Sequence, residues 1–259
     1  MGEPGKSRAI EVDASGSRVV DKAPVLIVRG DALELLPEPI RNGGDVEAVW
    51  EFVNVPEEQR LLVLAWLLDC MRPDTPFPGL ELHGEQGSGK SDSSKYLRRL
   101  IDPNACLLRG APKSSQDIFV AALQSHLVAY ENISHLVPAM QDALCILSTG
   151  GGHAKRQLYT DADEHVINVQ RPWLINGISI CATQQDLVDR CISVECPSLT
   201  ERKSSSEQKT AFEAALPGIV CALLNLFARA LKVLPDQKLP PDARPRLLLA
   251  AAWTLAASE

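Results

Sequence analysis

The sequence lacks the features that mark zinc-binding, secreted and membrane proteins. Its seven cysteines form no CxxC pair, and their odd number and wide spacing are typical of reduced thiols in a cytosolic core. No apolar run reaches the roughly 18 residues that a membrane span needs. The start, MGEPGKSRAIEVD, has no apolar segment of a signal peptide. These absences predict a cytoplasmic protein with no zinc site and no membrane partner.

The sequence also lacks an excess of basic residues. Its 26 Lys and Arg residues are outnumbered by 33 Asp and Glu residues, giving a formal net charge of −7. Such a protein can meet nucleic acid only through a local basic surface, which excludes coating DNA through overall charge. Apolar residues make up 45% of the 259 positions, enough to bury a sizeable core.

One motif carries most of the functional information: GEQGSGKS, residues 84 to 91, matches the P-loop pattern at every fixed position. In a P-loop, backbone N–H groups bind phosphate, the lysine reaches the β and γ phosphates, and the hydroxyl holds magnesium. No NKxD signature follows, which favours ATP over GTP. We therefore expect ATP and Mg²⁺ as ligands, with Ser91 binding the metal and nucleotide contacts from Gly84, Glu85, Gln86, Gly87, Ser88, Gly89, Lys90, Ser91 and Asp92.

The surroundings of this motif predict an α/β fold. A strand pattern over residues 79–83 precedes the glycines, and a helical pattern over 90–101 follows them. Other strand patterns alternate with helical ones, as in a parallel sheet covered by helices. The other strands are expected at residues 23–30, 106–110, 126–130, 171–177 and 191–196, and the other helices at 45–54, 56–71, 115–125 and 138–148.

Composition divides the chain into five parts. The start is polar and aperiodic, which predicts a flexible tail. Near the other end, apolar positions follow helical spacing, and Pro217 is expected to open a second helical piece. The expected parts are a flexible tail (1–22), an N-terminal strand and helical lead-in (23–78), a P-loop ATPase core (79–200), a helical C-terminal segment (201–235) and a low-complexity tail (236–259).

A second magnesium ligand is expected at the end of a buried strand. Glu131 follows an apolar run some 40 residues after the P-loop, where ATPases carry an acidic metal ligand. An ordinary surface residue is the alternative. Asn132 stands where many ATPases carry a catalytic glutamate. Glu131 is therefore expected either to activate water as well as bind metal, or to support only slow turnover.

Two further polar residues stand at the ends of predicted elements. Asn176 ends the strand pattern RPWLIN, where its amide could orient the attacking water. Arg190 precedes the strand pattern CISVEC and could neutralise charge in the transition state, as arginine fingers do. A turn-forming Asn and a solvated Arg fit the spacing equally well.

An inserted β-hairpin is predicted between these sites. Residues 148–170 contain three glycines and two short alternating runs. Lys155 and Arg156 near the base of the hairpin could contact a DNA backbone. The acidic turn at residues 161–164 argues against contact through the tip, and a purely structural hairpin is the alternative.

Taken together, the motifs resemble a known family. The order GEQGSGKS, AYENIS, LSTGGGHAKRQLYTDADE, QRPWLINGI and DLVDRCISVECP is similar to that of ATP-binding proteins of phages and mobile elements that accompany primases, relatives of superfamily 3 helicases. The resemblance covers roughly residues 35–235. It implies a three-layer AAA+-like core with a parallel five-stranded sheet, an inserted hairpin that contacts DNA, and assembly as a ring.

The resemblance also implies roles for individual residues. Lys90 and Ser91 would be the Walker A pair, Glu131 the Walker B carboxylate, Asn176 the sensor asparagine, and Arg190 a finger acting on a neighbouring subunit. The insert 150–170 would be the hairpin that contacts DNA.

Two features depart from the family pattern. The family commonly shows aspartate followed by asparagine where this chain has Glu131-Asn132, which affects the expected metal distance and rate. The C-terminal 25 or so residues also differ from the usual family ending.

The favoured function is that of an ATP-driven, helicase-like DNA motor in the replication of a phage or mobile element. Its expected partners are single-stranded or forked DNA, further copies of the chain, with a hexameric ring as one form, and a primase or replication initiator. Two alternatives remain open. One is a nucleotide-binding switch or loader with weak hydrolysis, suggested by Asn132. The other is a P-loop phosphotransferase for a small metabolite, for which no acceptor motif is visible.

Overall fold

A central parallel β-sheet organises the protein. The computed structural model describes residues 6–26, 30, 32–40, 43–73, 76–156, 164–199 and 204–233. The elements in chain order are β1 (Ala9–Asp13), β2 (Gly16–Val20), a 3-10 turn (Glu47–Glu51), α1 (Glu57–Asp69), β3 (Gly79–His83), α2 (Lys90–Ile101), α3 (Ser115–Gln124), β4 (Val128–Tyr130), α4 (Pro138–Thr149), β5 (Gly152–Arg156), β6 (Glu164–Asn168), β7 (Trp173–Asn176), α5 (Gln185–Val188), β8 (Cys191–Glu195) and α6 (Ser205–Val233).

The central sheet has the strand order β4-β7-β3-β8, and all three pairings are parallel. Because β3 lies between β7 and β8, the loop that leaves its carboxyl end is flanked by two other strand ends. Close packing needs a glycine at the start of β3, since a Cβ on Gly79 would lie 1.9 Å from the Trp173 ring. The fold therefore gathers the segments that follow four strands at one edge of the sheet.

Helices cover both faces of this sheet, as a buried parallel sheet requires. On one face, Leu80 and Leu82 of β3 belong to a hydrophobic cluster with α1, α2 and α6. On the other face, Val128 and Ile175 belong to a second cluster with α3 and α4. The alternation of side chains along β4 and β7 thus separates the core into two layers of apolar contacts, and the α/β prediction is confirmed.

Two predicted strands are missing from the sheet. In segment 23–30, residues 23–26 and 30 are not in strands, and 27–29 lie outside the described residues. In segment 106–110, only Arg109 pairs with the sheet, through a parallel bridge to Tyr130 of β4. Prolines at 103 and 112 restrict the length of this segment that can run along the edge. The described sheet therefore has four strands, not the expected five.

The N-terminal segment differs from the expected flexible tail. β1 and β2 form an antiparallel hairpin with Ala9 opposite Val20. Ile10 and Val12 pack against the cluster that contains α6, whereas the outer face carries Arg18 between Glu11 and Asp13. The alternation of apolar and polar residues over only five positions explains why a short hairpin was predicted as aperiodic.

The C-terminal helical segment is one helix instead of two. α6 runs unbroken over 29 residues with Pro217 inside it, so the predicted break is wrong. A proline removes one backbone hydrogen bond, but Phe212, Leu216 and Ile219 on either side of it are almost fully buried and keep the helix in place. By length and composition α6 could also cross a membrane, alone among the described helices. Half of the apolar stretch of α6 is buried inside the protein, which fits a core helix.

The predicted inserted hairpin is present as β5 and β6. The two strands pair antiparallel, with Gly152 opposite Asn168 and Arg156 opposite Glu164. The intervening residues 157–163 lie outside the described part of the chain, as does the predicted low-complexity tail 236–259. The hairpin follows α4 and precedes β7 in the chain. It therefore lies between Asn132, which follows β4, and Asn176, which ends β7.

Candidate nucleotide-binding site

The glycine-rich segment forms a tight turn between β3 and α2. Gly87 and Gly89 have left-handed φ angles of 88° and 73°, which side chains rarely adopt. Gly84 has a φ of 141°, and a Cβ there would lie 2.6 Å from the Cys196 carbonyl. α2 then begins at Lys90 with no side chain capping its N-terminus. The turn therefore presents an uncapped helix N-terminus, with its positive dipole end, at the sheet edge.

Lys90 folds back onto this turn. Its Nζ donates to the carbonyls of Gly84 at 2.9 Å and Glu85 at 2.6 Å, and to the Ser88 hydroxyl at 3.1 Å. No Asp or Glu pairs with it among the described residues. Burial raises the pKa of the nearby Cys196 thiol to about 11, although the Lys90 charge lowers it. Within the described part of the chain, no Asp or Glu neutralises the ammonium charge of Lys90.

Asn54, which no sequence motif indicated, stabilises the turn through hydrogen bonds. Its Nδ2 donates to the Ser88 carbonyl at 2.8 Å and to the Pro197 carbonyl at 2.6 Å. Its backbone N–H donates to the Ser93 hydroxyl of α2 at 2.9 Å. This one side chain links the turn to the segment after β8. The only sequence signal is an amide among apolar residues in FVNVP.

Asn176 lies at the carboxyl end of β7, beside β3. It is 1% exposed, its Nδ2 donates to the Ser94 hydroxyl of α2 at 2.9 Å, and its Oδ1 accepts the N–H of Asn132 at 3.1 Å. The Ser94 hydroxyl in turn donates to the Lys90 carbonyl at 2.8 Å. The sequence-predicted Asn176 is therefore brought to the same sheet edge as Lys90.

Glu131 and Asn132 follow β4 at that edge. The Glu131 N–H donates to the Arg109 carbonyl at 2.8 Å, which keeps residue 131 in strand alignment. Alternation places Glu131 on the face of Ala129, whose cluster also contains α2. Asn132 then turns into the left-handed region with a φ of 55°. Asn132 lines the cleft described next, but Glu131 is not among the residues that line it.

A cleft of about 670 Å³ lies between the turn and the ends of β4 and β7. This is within the range of a small-molecule site. Of the predicted nucleotide contacts, Gly84, Glu85 and Ser88 do not line it. Its lining is Gln86, Gly87, Gly89, Lys90, Ser91, Asp92, Asn132, Ile133, Ser134, Gly177, Ile178 and Ser179.

Residues 177–184, here called the rim loop, border this cleft. The Gly177 N–H donates to the Leu82 carbonyl at 3.1 Å, and the Gly84 N–H donates to the Ile178 carbonyl at 3.2 Å. At the other end, the buried Gln141 accepts the N–H groups of Thr183 at 2.9 Å and Gln184 at 2.8 Å. The rim loop is thus fixed to both the turn and α4.

Arg190 lies at the opposite edge of the sheet. Its carbonyl accepts the N–H of Gly79, the first residue of β3, at 2.8 Å, so the length of β3 separates it from the turn. Its guanidinium pairs with the Asp186 carboxylate and donates to the Asp186 carbonyl at 2.7 Å. The structure does not bring Arg190 to the cleft of its own chain.

Lys155 and Arg156 are the two basic residues predicted to contact DNA. The backbones of Lys155 and Arg156 belong to β5. Their side chains lie outside the described part of the structure. The prediction that they contact DNA therefore stays a prediction.

The residues at the cleft fit a nucleoside triphosphate. The open helix N-terminus and the unpaired Lys90 ammonium suit phosphate oxygens. Ser91 at the start of α2 lines the cleft and offers an oxygen ligand suited to Mg²⁺, whereas Glu131, on the α2 side of β4, does not line it. The described residues hold no group of three or more His, Cys, Asp or Glu side chains that could bind a metal alone. A metal here would share its coordination with phosphate.

The fold is also seen in solved proteins. Two similar structures are "The A form apo structure of NrS-1 C terminal region-CTR" and "SCCmec type IV Cch - active helicase". The first has a TM-score of 0.52 and 13% identity, covering 73% of this chain and 47% of the other. The second has a TM-score of 0.50 and 12% identity, covering 96% of this chain and 52% of the other. The chain thus spans about half the length of each, and at such identities the likeness shows the fold alone.

Sequence comparison identifies the family. No curated protein matches the chain significantly. A family model, described as "Actinomycete integrative conjugative element replication protein", matches residues 46–247. This match spans most of the chain and includes the turn, Arg190 and the asparagines Asn54, Asn132 and Asn176. The chain therefore belongs to the family of replication proteins of actinomycete integrative conjugative elements.

Proposed function

We propose that the chain is an ATP-dependent, helicase-like DNA motor that acts in replication of an integrated mobile element. The observation that carries this proposal is the convergence of Lys90, at an uncapped helix N-terminus, with Asn176 and Asn132 at one sheet edge. That arrangement suits a triphosphate whose terminal phosphate lies near an ordered amide. Membership of a replication-protein family supports DNA as the partner of this ATPase.

In this proposal the turn binds the phosphates of ATP. Binding releases Lys90 from the Gly84 and Glu85 carbonyls, because its ammonium exchanges them for phosphate oxygens, a stronger charge-assisted contact. Ser91 and Glu131 hold Mg²⁺. When bound, Mg²⁺ supplies charge neutralisation at the phosphates.

Hydrolysis requires a water in line with the γ phosphate. Asn176 orients that water, and its bonds to Ser94 and Asn132 fix the amide before substrate arrives. Glu131 accepts the proton as the water oxygen bonds to phosphorus and the bond to the ADP oxygen breaks. Since Asn132 replaces a second carboxylate, Glu131 serves both metal and water.

Arg190 completes the site of a neighbouring copy. Because β3 separates it from the cleft of its own chain, it can contribute only across an interface. Its pair with Asp186 must open for this to happen. Assembly as a homo-oligomer, with a hexameric ring as one form, follows from this requirement.

Single-stranded or forked DNA is the proposed track of the motor. The inserted hairpin, with Lys155 and Arg156 in β5, offers local positive charge on a chain whose net charge is −7. A primase or replication initiator is the proposed protein partner, and the cytoplasm the proposed location.

The second candidate is a nucleotide-binding switch or loader with weak hydrolysis. The observation that favours it is Asn132, which lines the cleft with a left-handed φ of 55° and has no carboxylate to activate water. Both candidates bind ATP, and they differ in turnover.

The rate of ATP hydrolysis, with and without single-stranded DNA, tests the proposal. A motor hydrolyses ATP faster with DNA and has a solution mass above that of one chain when ATP is bound. DNA-independent hydrolysis by a strict monomer would contradict the motor. Tight ATP binding with negligible turnover under both conditions would favour the switch.

A further inference from the structure

A buried carboxyl group stands in the middle of β3, and none of the roles above uses it. Glu81 is 1% exposed, although its neighbours Leu80 and Leu82 are apolar. No Lys, Arg or His among the described residues pairs with it. A carboxyl group buried in this way is destabilising unless hydrogen bonds compensate it, so its hydrogen-bond partners indicate what it does.

Those partners are two backbone groups of the rim loop and one side chain of β8. Glu81 Oε1 accepts the N–H of Cys181 at 2.5 Å and the N–H of Ala182 at 3.3 Å. Its Oε2 accepts the hydroxyl of Ser193 at 3.2 Å, directly opposite in the sheet. The carboxyl group therefore joins the strand that leads into the phosphate-binding turn to the middle of the rim loop.

The rim loop in turn reaches both the cleft and Arg190. Ile178 lines the cleft, yet 68% of its surface is exposed, and Ile180 is 50% exposed. The loop thus holds two apolar side chains in solvent on a backbone that is hydrogen-bonded to the turn at one end and to α4 at the other. Its last residue, Gln184, is the N-cap of α5, and Arg190 follows that helix after one residue.

We infer that Glu81 is a positioning residue that couples the phosphate-binding turn to the rim loop. Nucleotide binding between Gly84 and Ser91 then reduces the mobility of the rim loop, residues 177–184. Through α5 it also changes the position of Arg190. The inference rests on the proposed binding of ATP at the turn. Glu81 itself does not line the cleft, so it does not contact the nucleotide.

Amide hydrogen exchange with and without a non-hydrolysable ATP analogue and Mg²⁺ tests the coupling. In the wild type, we expect the analogue to slow exchange both in a peptide covering residues 84–94 and in one covering 180–184, which lies outside the lining of the cleft. Glu81→Met removes the acceptors of two N–H groups, so rim-loop amides should exchange about tenfold faster. In that variant the analogue should still protect 84–94 but no longer protect 180–184, and kcat should fall without a matching rise in KM for ATP.

Controls separate coupling from general loss of stability. Ser148→Ala removes another buried hydrogen bond, that of Trp173 Nε1 at 2.7 Å, and should leave the rim-loop response intact. Glu81→Gln keeps a carbonyl acceptor and should retain most of the wild-type response. If Glu81→Met does not fold, Glu81→Asp, whose carboxyl group is one methylene further away, must show the same selective loss.

Two results are decisive in opposite ways. An analogue response at 180–184 in Glu81→Met or Glu81→Asp equal to that of the wild type would overturn the coupling. The absence of any response at 84–94 in the wild type would instead overturn the proposed function on which the coupling rests.

Discussion

The side-chain amide of Asn176 donates a hydrogen bond of 2.9 Å to the hydroxyl of Ser94, which joins the end of β7 to the first turns of α2. The same amide accepts the N–H of Asn132 at 3.1 Å. One N–H and one lone pair of this buried side chain are therefore used in joining three segments around the cleft. In the proposed function, this connection holds Asn176 in place to orient a water toward the γ phosphate.

Replacing Asn176 tests its role in orienting water. Asn176→Ala should lower kcat for ATP hydrolysis by about 100-fold, because it removes a preorganised polar group from the transition state. KM for ATP should change little, since Lys90 and the turn remain. Steady-state kinetics measure both. Ser94→Ala, which removes only the supporting hydroxyl, should have a smaller effect on kcat. Equal kcat values for Asn176→Ala and the wild type would exclude the role.

Asn54 should stabilise the turn. Asn54→Ala leaves the Ser88 and Pro197 carbonyls without this donor, at an expected loss of about 1–2 kcal/mol. For a chain of this size the melting temperature should fall by roughly 2–8 °C, and KM for ATP should rise. Thermal denaturation and kinetics measure the two effects. Asn225→Ala, on the exposed side of α6, is the control and should match the wild type. A rise in melting temperature or an unchanged KM would count against the role.

Mixing two inactive variants tests whether Arg190 acts across an interface. Lys90→Ala and Arg190→Ala should each lack activity. In a mixture, about a quarter of randomly assembled interfaces combine an intact Lys90 with an intact Arg190 from another copy, so activity should return. A mixture of Lys90→Ala with Asn176→Ala should stay inactive, because both residues serve the same cleft. Failure of the first mixture to regain activity would contradict the role in trans.

His126 should make stability depend on pH. Burial lowers the pKa of His126, whose Nε2 lies 2.7 Å from the Cys70 carbonyl. The folded state therefore binds fewer protons than the unfolded state, in which the pKa is near 6.5, and stability should fall as pH drops below 6.5. The expected slope is up to about 1.4 kcal/mol per pH unit. Melting temperatures between pH 8 and pH 5 measure it.

A matched pair of variants tests whether His126 causes this pH dependence of stability. His126→Phe, which cannot titrate, should flatten it, whereas His135→Gln at an exposed position should retain it. A wild-type slope in His126→Phe would show that other groups are responsible.

Local patterns were sufficient to predict the strand and helix that flank the turn. The bounds 79–83 and 90–101 are those of β3 and α2, because short-range apolar periodicity determined both. The same reasoning located Asn176 at the end of β7. It failed for segment 106–110, where flanking prolines outweigh an apolar run, and for Pro217, where burial outweighs helix-breaking tendency.

The residues that hold the site together were not predictable in this way. Asn54 contacts a carbonyl 143 positions away, and Glu81 contacts an N–H group 100 positions away. A single amide or carboxyl group in an apolar run gives no indication of its distant partner. Arg190 was predicted as a finger from its place before β8, but only the strand register shows that it lies away from its own cleft.

Equilibrium titration with Mg²⁺ and ATP, on the wild type and on Lys90→Ala, tests whether the turn between β3 and α2 binds ATP. The wild type should bind, and Lys90→Ala should bind about 10- to 100-fold more weakly, the effect of losing one charge-assisted contact. Lys209→Ala, at an exposed position of α6 that does not line the cleft, should bind like the wild type. Equal affinity of Lys90→Ala and the wild type for ATP would show that this turn is not the nucleotide-binding site.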